Sequence, residues 1–299
     1  LRQAFANTES RFLVLSFTSD WLFTSRQSEE IVNTLVGLSR DVSYCNIRSP
    51  YGHDAFLLEP RTLGDLIGGF IENNRQWLQG KELSNRALPS PKTKLVDRAK
   101  RMRVDYELIE SLIEPNSRVL DVGCGDGELL SRLIQDKGID GEGMELDQDM
   151  IVHCVRRGLS VIQWDIDRGL EQYAADTFDY VILSQTMQTV RDPEKVLREL
   201  IRIGKKVIVS FPNFAHWSCR LQMLLGGRAP QTRQLPFRWY NSPNIHFLSL
   251  RDFDQFCREL GLRIEKRIPL GKSSIRPIRL FPNLLATQAV YVTTKYANG

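Results

Sequence analysis

Residues Arg118–Leu130, RVLDVGCGDGELL, decide the fold. Val119 to Val122 is apolar and β-branched enough for an inner strand of a parallel sheet, and a helix start follows at Glu128. Between them, Gly123, Gly125 and Gly127 permit positive φ angles and let a ligand approach bare backbone, so the turn is suited to holding a cofactor. A dinucleotide fingerprint requires G-x-G-x-x-G. Gly123-x-Gly125 is followed by Glu128 and Gly125-x-Gly127 by Leu130, so neither frame has its third glycine. Asp121 and Asp126 would also repel a pyrophosphate at the helix N-terminus.

Carboxylates here suit S-adenosylmethionine, which carries a sulfonium, an ammonium and no phosphate. The spacing D-x-G-x-G-x-G from Asp121 to Gly127 resembles motif I of class I methyltransferases. Downstream, strand and helix patterns alternate, with strands predicted at Val119–Val122, Gly141–Glu145, Ser160–Trp164, Tyr180–Leu183, Lys206–Phe211, Leu262–Lys266 and Ala289–Thr293. Asp192-Pro193 predicts an N-cap with proline at the first helical position, ahead of Val196, Leu197, Leu200 and Ile201 on one face and a stop at Gly204. Such alternation predicts a parallel sheet covered on both faces, with ligands outside the carboxyl ends of the strands. Glu145 ends its strand where an acid can take both ribose hydroxyls, and Asp147 fits a helix N-cap. Asp165 either accepts from the adenine amino group, with Trp164 flanking the ring, or caps a turn.

The 299 residues are enough for one large or two modest domains, and 42% hydrophobic content is enough for packed cores. A net charge of +4, with no basic stripe interleaved with aromatics, argues against a nucleic-acid partner. Five scattered cysteines without a C-x-x-C pair read as free thiols of a reducing cytoplasm. No apolar run reaches the ~20 residues needed to span a bilayer, so no membrane role is expected. The four histidines lack metal-ligand spacing, and no metal is expected. Because the chain starts at Leu1, close to a strand that belongs inside a fold, an N-terminal truncation is expected. Arg98, Lys100, Arg101 and Arg103 crowd the start of a helix running on through Tyr106, Leu108, Ile109, Leu112 and Ile113, and read best as a solvated face. The aromatic and arginine-rich stretch between Phe211 and Phe247 either covers a substrate or partner surface or packs on itself.

In the N-terminal part, Phe12–Phe17 and Val42–Ile47 read as strands with a helix between them. Asp20 follows the first strand and His53 the second. This is the order of the last two members of an α/β-hydrolase triad, with His53 as base and Asp20 as its orienter. No G-x-S-x-G occurs in the sequence, so nucleophile and oxyanion hole are missing and this part cannot perform acyl transfer as it stands. The first 75 residues are expected to form strand, helix, strand, helix with a raw sheet edge, because a neighbouring strand is missing.

The stretches SFTSDWLF and SPYGHDAFLL resemble homoserine O-acyltransferases, over about residues 11–75. The resemblance implies that Asp20 and His53 complete the triad, that Asp54 helps bind the substrate amino group, and that an acyl-coenzyme A is the donor, acetyl or succinyl. LDVGCGDGELL, FDYVILSQTMQTV, VIVSFPNFAHW, LLGGRAP, WYNSPNIHF and RDFDQFC resemble the methionine-biosynthesis family MetW, over about residues 98–295. That family is implied to have a class I methyltransferase-like fold and to partner the acyltransferase. The expectation is therefore an α/β chain. Residues 1–75 form the C-terminal fragment of an α/β-hydrolase, 76–97 a linker, and 98–299 a Rossmann-like, seven-stranded domain binding S-adenosylmethionine through Asp121, Gly123, Gly125, Gly127, Glu145 and Asp165. The acyltransferase partner is expected in cis or within a homo-oligomer, and the substrate is a small molecule. The alternative is an active methyltransferase on an unknown acceptor.

Overall fold

Runs of β-branched and aromatic residues become strands where the alternation of the sequence places them. The structure, a computed structural model, describes residues 1–78, 104–272 and 275–296. In chain order the N-terminal elements are α1 (Arg2–Phe5), β1 (Phe12–Phe17), α2 (Ser25–Val36), β2 (Val42–Ile47), α3 (Ala55–Leu58) and α4 (Pro60–Leu78). Next come α5 (Val104–Leu112), β3 (Arg118–Val122), α6 (Glu128–Lys137), β4 (Asp140–Glu145), α7 (Gln148–Arg156) and β5 (Ser160–Gln163). The remainder are β6 (Phe178–Ser184), α8 (Pro193–Ile203), β7 (Gly204–Pro212), α9 (Trp217–Gly226), α10 (Leu250–Glu259), β8 (Leu262–Leu270), α11 (Pro282–Leu285) and β9 (Gln288–Lys295). Arg98, Lys100, Arg101, Arg103 and the expected linker from residue 79 onward lie outside the described residues. No described helix is long and apolar enough to cross a membrane.

The chain falls into two units, one drawn from residues 1–89 and 118–177, the other from 90–117 and 178–299. In the first, strands run in the order β1-β2-β5-β4-β3, all parallel. The descending order β5-β4-β3 is one half of a class I methyltransferase sheet. β1 has β2 as its one strand neighbour among the described residues, so the raw edge is there. On its other side β2 does not stay open. It joins β5 at Tyr44 opposite Ile162, a junction the sequence did not suggest. The rest of this seam is made by side chains: Ser43 Oγ donates to the Leu159 carbonyl (3.5 Å) and accepts from the Val161 amide (3.4 Å), and Gln163 Oε1 accepts from the Asn46 amide (2.6 Å). The helices reinforce it. Asn73 of α4 donates through Nδ2 to the Val155 and Arg156 carbonyls at the end of α7, 3.0 and 3.1 Å away, a second donor for Val155, which already accepts from the Gly158 amide.

In the second unit the order is β6-β7-β9-β8. β6 and β7 are parallel, as expected, but β9 runs antiparallel to both β7 and β8. The wholly parallel sheet is thus corrected at one strand, β9, which runs against both of its neighbours. A parallel return needs a crossover helix, and among the described residues the segment joining β8 to β9 holds only the four-residue α11. α8 starts as its sequence dictates, with Asp192 accepting from the Lys195 amide and Pro193 in the first turn. It buries Val196, Leu197, Leu200 and Ile201. Each such side chain contributes about 1.5–3 kcal/mol relative to exposure, which is why a helix with a strongly polar outer face still docks.

Candidate functional site

The glycine turn leaves β3 and stays bonded to its neighbour: the Gly123 and Cys124 amides both donate to the Met144 carbonyl, at 2.8 and 3.1 Å. Gly125 and Gly127 are both left-handed, at φ +58° and +75°, but their surroundings differ. A Cβ on Gly127 would lie on top of Leu159 Cδ1 and 3.0 Å from Cys154 Sγ, both in the core. A Cβ on Gly125 would meet nothing within 4 Å. Gly127 therefore serves packing, whereas Gly125 leaves the space over its Cα open to an incoming group. Asp126 accepts an ion pair from Arg157 (3.0 Å), and Asp121 is buried, 2% exposed. Cys124 and Cys154 are free, with sulfurs 3.9 Å apart; that neighbour and burial push the Cys124 thiol well above its usual value, so it is no nucleophile.

Glu145 closes the turn from the adjacent strand. Its Oε2 accepts from the Gly125 amide (2.8 Å) and its Oε1 from the Leu146 and Asp147 amides (2.7 and 2.9 Å). Oε2 keeps room for one further donor, and taking both ribose hydroxyls requires Oε1 to give up one of its amides. Asp147 is the N-cap of α7, accepting from Asp149 and Met150. Asp165 takes the capping one of its two expected roles: its Oδ1 accepts from the Asp167 amide (3.1 Å), and its Oδ2 has no hydrogen-bond partner among the described residues. Trp164 is 8% exposed, with its indole N–H on the Gly169 carbonyl and Arg168 stacked on its ring, so it offers little face to an adenine. Open space over the Gly125 Cα, two carboxylates at strand ends and no cationic side chain on the turn itself fit a cationic nucleoside and not a pyrophosphate.

At the exits of β1 and β2 a second constellation assembles. His53 Nδ1 donates to Asp20 Oδ2 (3.2 Å), since the carboxylate can only accept, and this leaves Nε2 as the basic atom of the neutral ring. The Phe23 amide and the His53 contact hold the Asp20 carboxyl below its usual range against its partial burial. The two loops are tied by Thr18 Oγ1 to Ser49 and by the Gly52 amide to Ser19 Oγ (2.8 Å). Asp54 is exposed beside them. The rings of Phe23 and Phe56 lie beside His53, with centroids 5.4 and 5.9 Å away, and both are exposed, as are their sequence neighbours Trp21, Tyr51 and Leu57.

A residue not singled out from the sequence lies in the second unit. Asp105 of α5, 1% exposed, accepts at Oδ2 from Ser184 Oγ (3.1 Å) and Ser210 Oγ (3.4 Å) at the ends of β6 and β7. Its position three and four residues before buried Leu108 and Ile109 was the available signal. In the stretch after β7, Phe214 packs on Phe247 (4.6 Å between centroids) while Trp239 is 81% exposed, so the segment packs partly on itself and partly offers surface. Among the described residues no cluster has the makings of a metal site.

Sheet order and turn together define a class I methyltransferase-like fold, carrying an additional pair of parallel strands on its β5 side. Residues 103–293 match the family model described as methionine biosynthesis protein MetW, and the chain belongs to that family. The bifunctional methionine biosynthesis protein MetXA/MetW of Rhodopirellula baltica is 36% identical over 279 residues, which is 90% of this chain and 42% of that one. The chain therefore spans less than half the length of that relative. A short N-terminal stretch matches a homoserine O-succinyltransferase of Psychrobacter arcticus, 46% identical over 72 residues, 24% of this chain and 16% of that one. A homoserine O-acetyltransferase of Methanohalophilus mahii is 49% identical over 71 residues, 24% and 15% of the two chains. Among solved structures, a SAM-dependent methyltransferase from Mesorhizobium loti aligns at a TM-score of 0.47 with 15% identity, covering 64% of this chain and 97% of that one. The family ties the chain to methionine biosynthesis.

Proposed function

We propose that this chain supplies the closing segment of a homoserine O-acyltransferase, joined in cis to an S-adenosylmethionine-binding MetW part that supports or regulates it. In this reading residues 1–75 are the hydrolase-fold segment, 76–97 the linker and 98–299 the MetW part. The observation that carries it is the 3.2 Å His53–Asp20 pair, with Nε2 left as a base. His53 takes the proton of the nucleophilic hydroxyl and returns it to the leaving group, Asp20 holds the ring, and Asp54 receives the amino group of homoserine. The nucleophile and oxyanion donors come from the rest of the acyltransferase. The exposed rings of Phe23 and Phe56 beside His53 support such a partner, because large apolar side chains left exposed together are characteristic of interaction surfaces. The donor is an acyl-coenzyme A, acetyl or succinyl. In the MetW part, Asp121, Gly123, Gly125, Glu145 and Asp165 hold S-adenosylmethionine, with Gly127 letting the turn pack against the core beneath it; when bound, the cofactor brings a methyl group on a sulfonium. The test is acyl transfer to homoserine by the protein that carries the nucleophile together with this chain. His53→Ala is expected to lower it by roughly a thousandfold or more, and unchanged activity would end the assignment.

A second reading, an active methyltransferase on an unknown acceptor, draws on Gln185 at the exit of β6. This non-glycine residue sits at φ +55°, and nearby Gln188 Oε1 is buried without a partner among the described residues. Strain and unsatisfied polar atoms concentrate at functional sites. Transfer of labelled methyl to a metabolite, abolished by Glu145→Ala, would put this reading first.

A further inference from the structure

The seam between β2 and β5 borders an open cleft of about 440 Å³, within the roughly 300–1,000 Å³ range of small-molecule sites. Tyr44, Asn46 and Arg48 form one wall, at β2 and its exit; Leu146, Trp164 and Asp165, at the exits of β4 and β5, form the other. We infer that this pocket takes the adenine end of a nucleoside cofactor, so that Asn46 and Arg48 of the acyltransferase-like segment are cofactor-contacting residues. The inference rests on the S-adenosylmethionine reading of the glycine turn.

Three observations carry it. The first is position: Leu146 directly follows the ribose acid Glu145 and is 59% exposed, an apolar surface for a flat ring one residue beyond the sugar. The second is the donor and acceptor pattern. Asp165 has an oxygen left to accept from an amino group. On the opposite wall, Asn46 Nδ2 and the Arg48 guanidinium have no hydrogen-bond partner among the described residues, while Asn46 Oδ1 is taken by Ser16 Oγ (2.9 Å). Adenine presents the complement, an amino donor and ring-nitrogen acceptors. The third is charge. Glu29, Asp147, Asp149 and Asp165 line the pocket against Arg48 and Arg168, and Arg168 is committed to Glu29 through two hydrogen bonds of 2.8 and 3.0 Å. The excess of carboxylates disfavours a phosphate, so the adenosine of S-adenosylmethionine fits and that of coenzyme A does not. The walls are also fixed before any ligand arrives, because Gln163 Oε1 accepts from the Asn46 amide (2.6 Å) and Gln148 Oε1 from the Arg48 amide (2.9 Å).

The test is calorimetry on the full chain with S-adenosylhomocysteine, paired with photo-crosslinking by an 8-azidoadenosyl analogue. Arg48 is exposed, so Arg48→Ala is expected to fold normally and to bind about tenfold more weakly. The crosslink is expected in the tryptic peptide of residues 41–48. If the wild type binds and Glu145→Ala weakens it, while Arg48→Ala does not and every crosslink falls in 118–168, this inference fails and the parent reading stands. Binding of coenzyme A in preference to S-adenosylhomocysteine overturns the choice of ligand. Binding of neither overturns this inference and the parent reading together.

Discussion

Alanine at Gly127 and at Gly125 should separate the two duties of the glycine turn. Both positions are left-handed, and a non-glycine residue there costs roughly 1–2 kcal/mol. At Gly127 the new methyl also lands on Leu159 and Cys154, side chains exposed by 2% and 0%, which have nowhere to retreat. Overpacking adds typically 1–3 kcal/mol, so Gly127→Ala should cost about 2–5 kcal/mol in all. In thermal unfolding of the full chain that is a fall in Tm on the order of 10 °C. Gly125→Ala has no such collision, so its Tm should drop by only a few degrees. Its penalty should appear instead in calorimetry with S-adenosylhomocysteine, because its methyl occupies the space a ligand would approach. Equal losses of Tm in the two variants, with unchanged ligand affinity in Gly125→Ala, would refute the reasoning.

Gln163→Leu removes the acceptor of the Asn46 amide at the seam; leaving that group unmet should cost about 1–3 kcal/mol, with exchange of the Asn46 amide hydrogen accelerated ahead of amides in β3 and β4. Asn73→Ala uncaps the end of α7 and should cost a similar amount, read as a lower urea midpoint, whereas Asn73→Asp sets a carboxylate against the carbonyls and should cost more. Burial pushes the Glu142 carboxyl up to about 7 from 4.5, outweighing the opposing hydrogen bond from Tyr173. The native state therefore holds this proton more tightly than the unfolded chain, and stability falls as pH rises from about 4.5 to about 7 before levelling. Glu142→Gln should flatten that part of the stability profile and raise stability at pH 8, measured by denaturant titration at each pH.

What could be read from the chain was whatever short-range chemistry dictates. β1 and β2 have the bounds their apolar runs predict, Asp147 and Asp192 cap the helices they precede, and the glycines of the turn take the left-handed angles their type allows. Long-range choices were not legible. Nothing local to Tyr44 or Ile162 says that the two strands should meet, because an edge strand carries no mark of its neighbour beyond its backbone. The reversal of β9 depended on how little helix its connection contains, and the burial of Trp164 on Arg168 covering its ring. Among candidate site residues, the partnership of His53 with Asp20 was visible from order and spacing. The buried role of Asp105 needed the face of α5 to be worked out.

The β2–β5 seam has one strand-to-strand register pair, with Ser43 and Gln163 side chains supplying the other bonds. A joint of this construction asks nothing of the covalent connection between its two sides: every group it uses, Asn73 of α4 included, lies on one side of the junction or the other. Severing the polypeptide between α4 and α5 would leave those groups in place, so the same contact is equally available to two separate molecules. The covalent link within this chain then acts by raising the effective concentration of one side at the other, and the chemistry of the contact itself does not depend on that link.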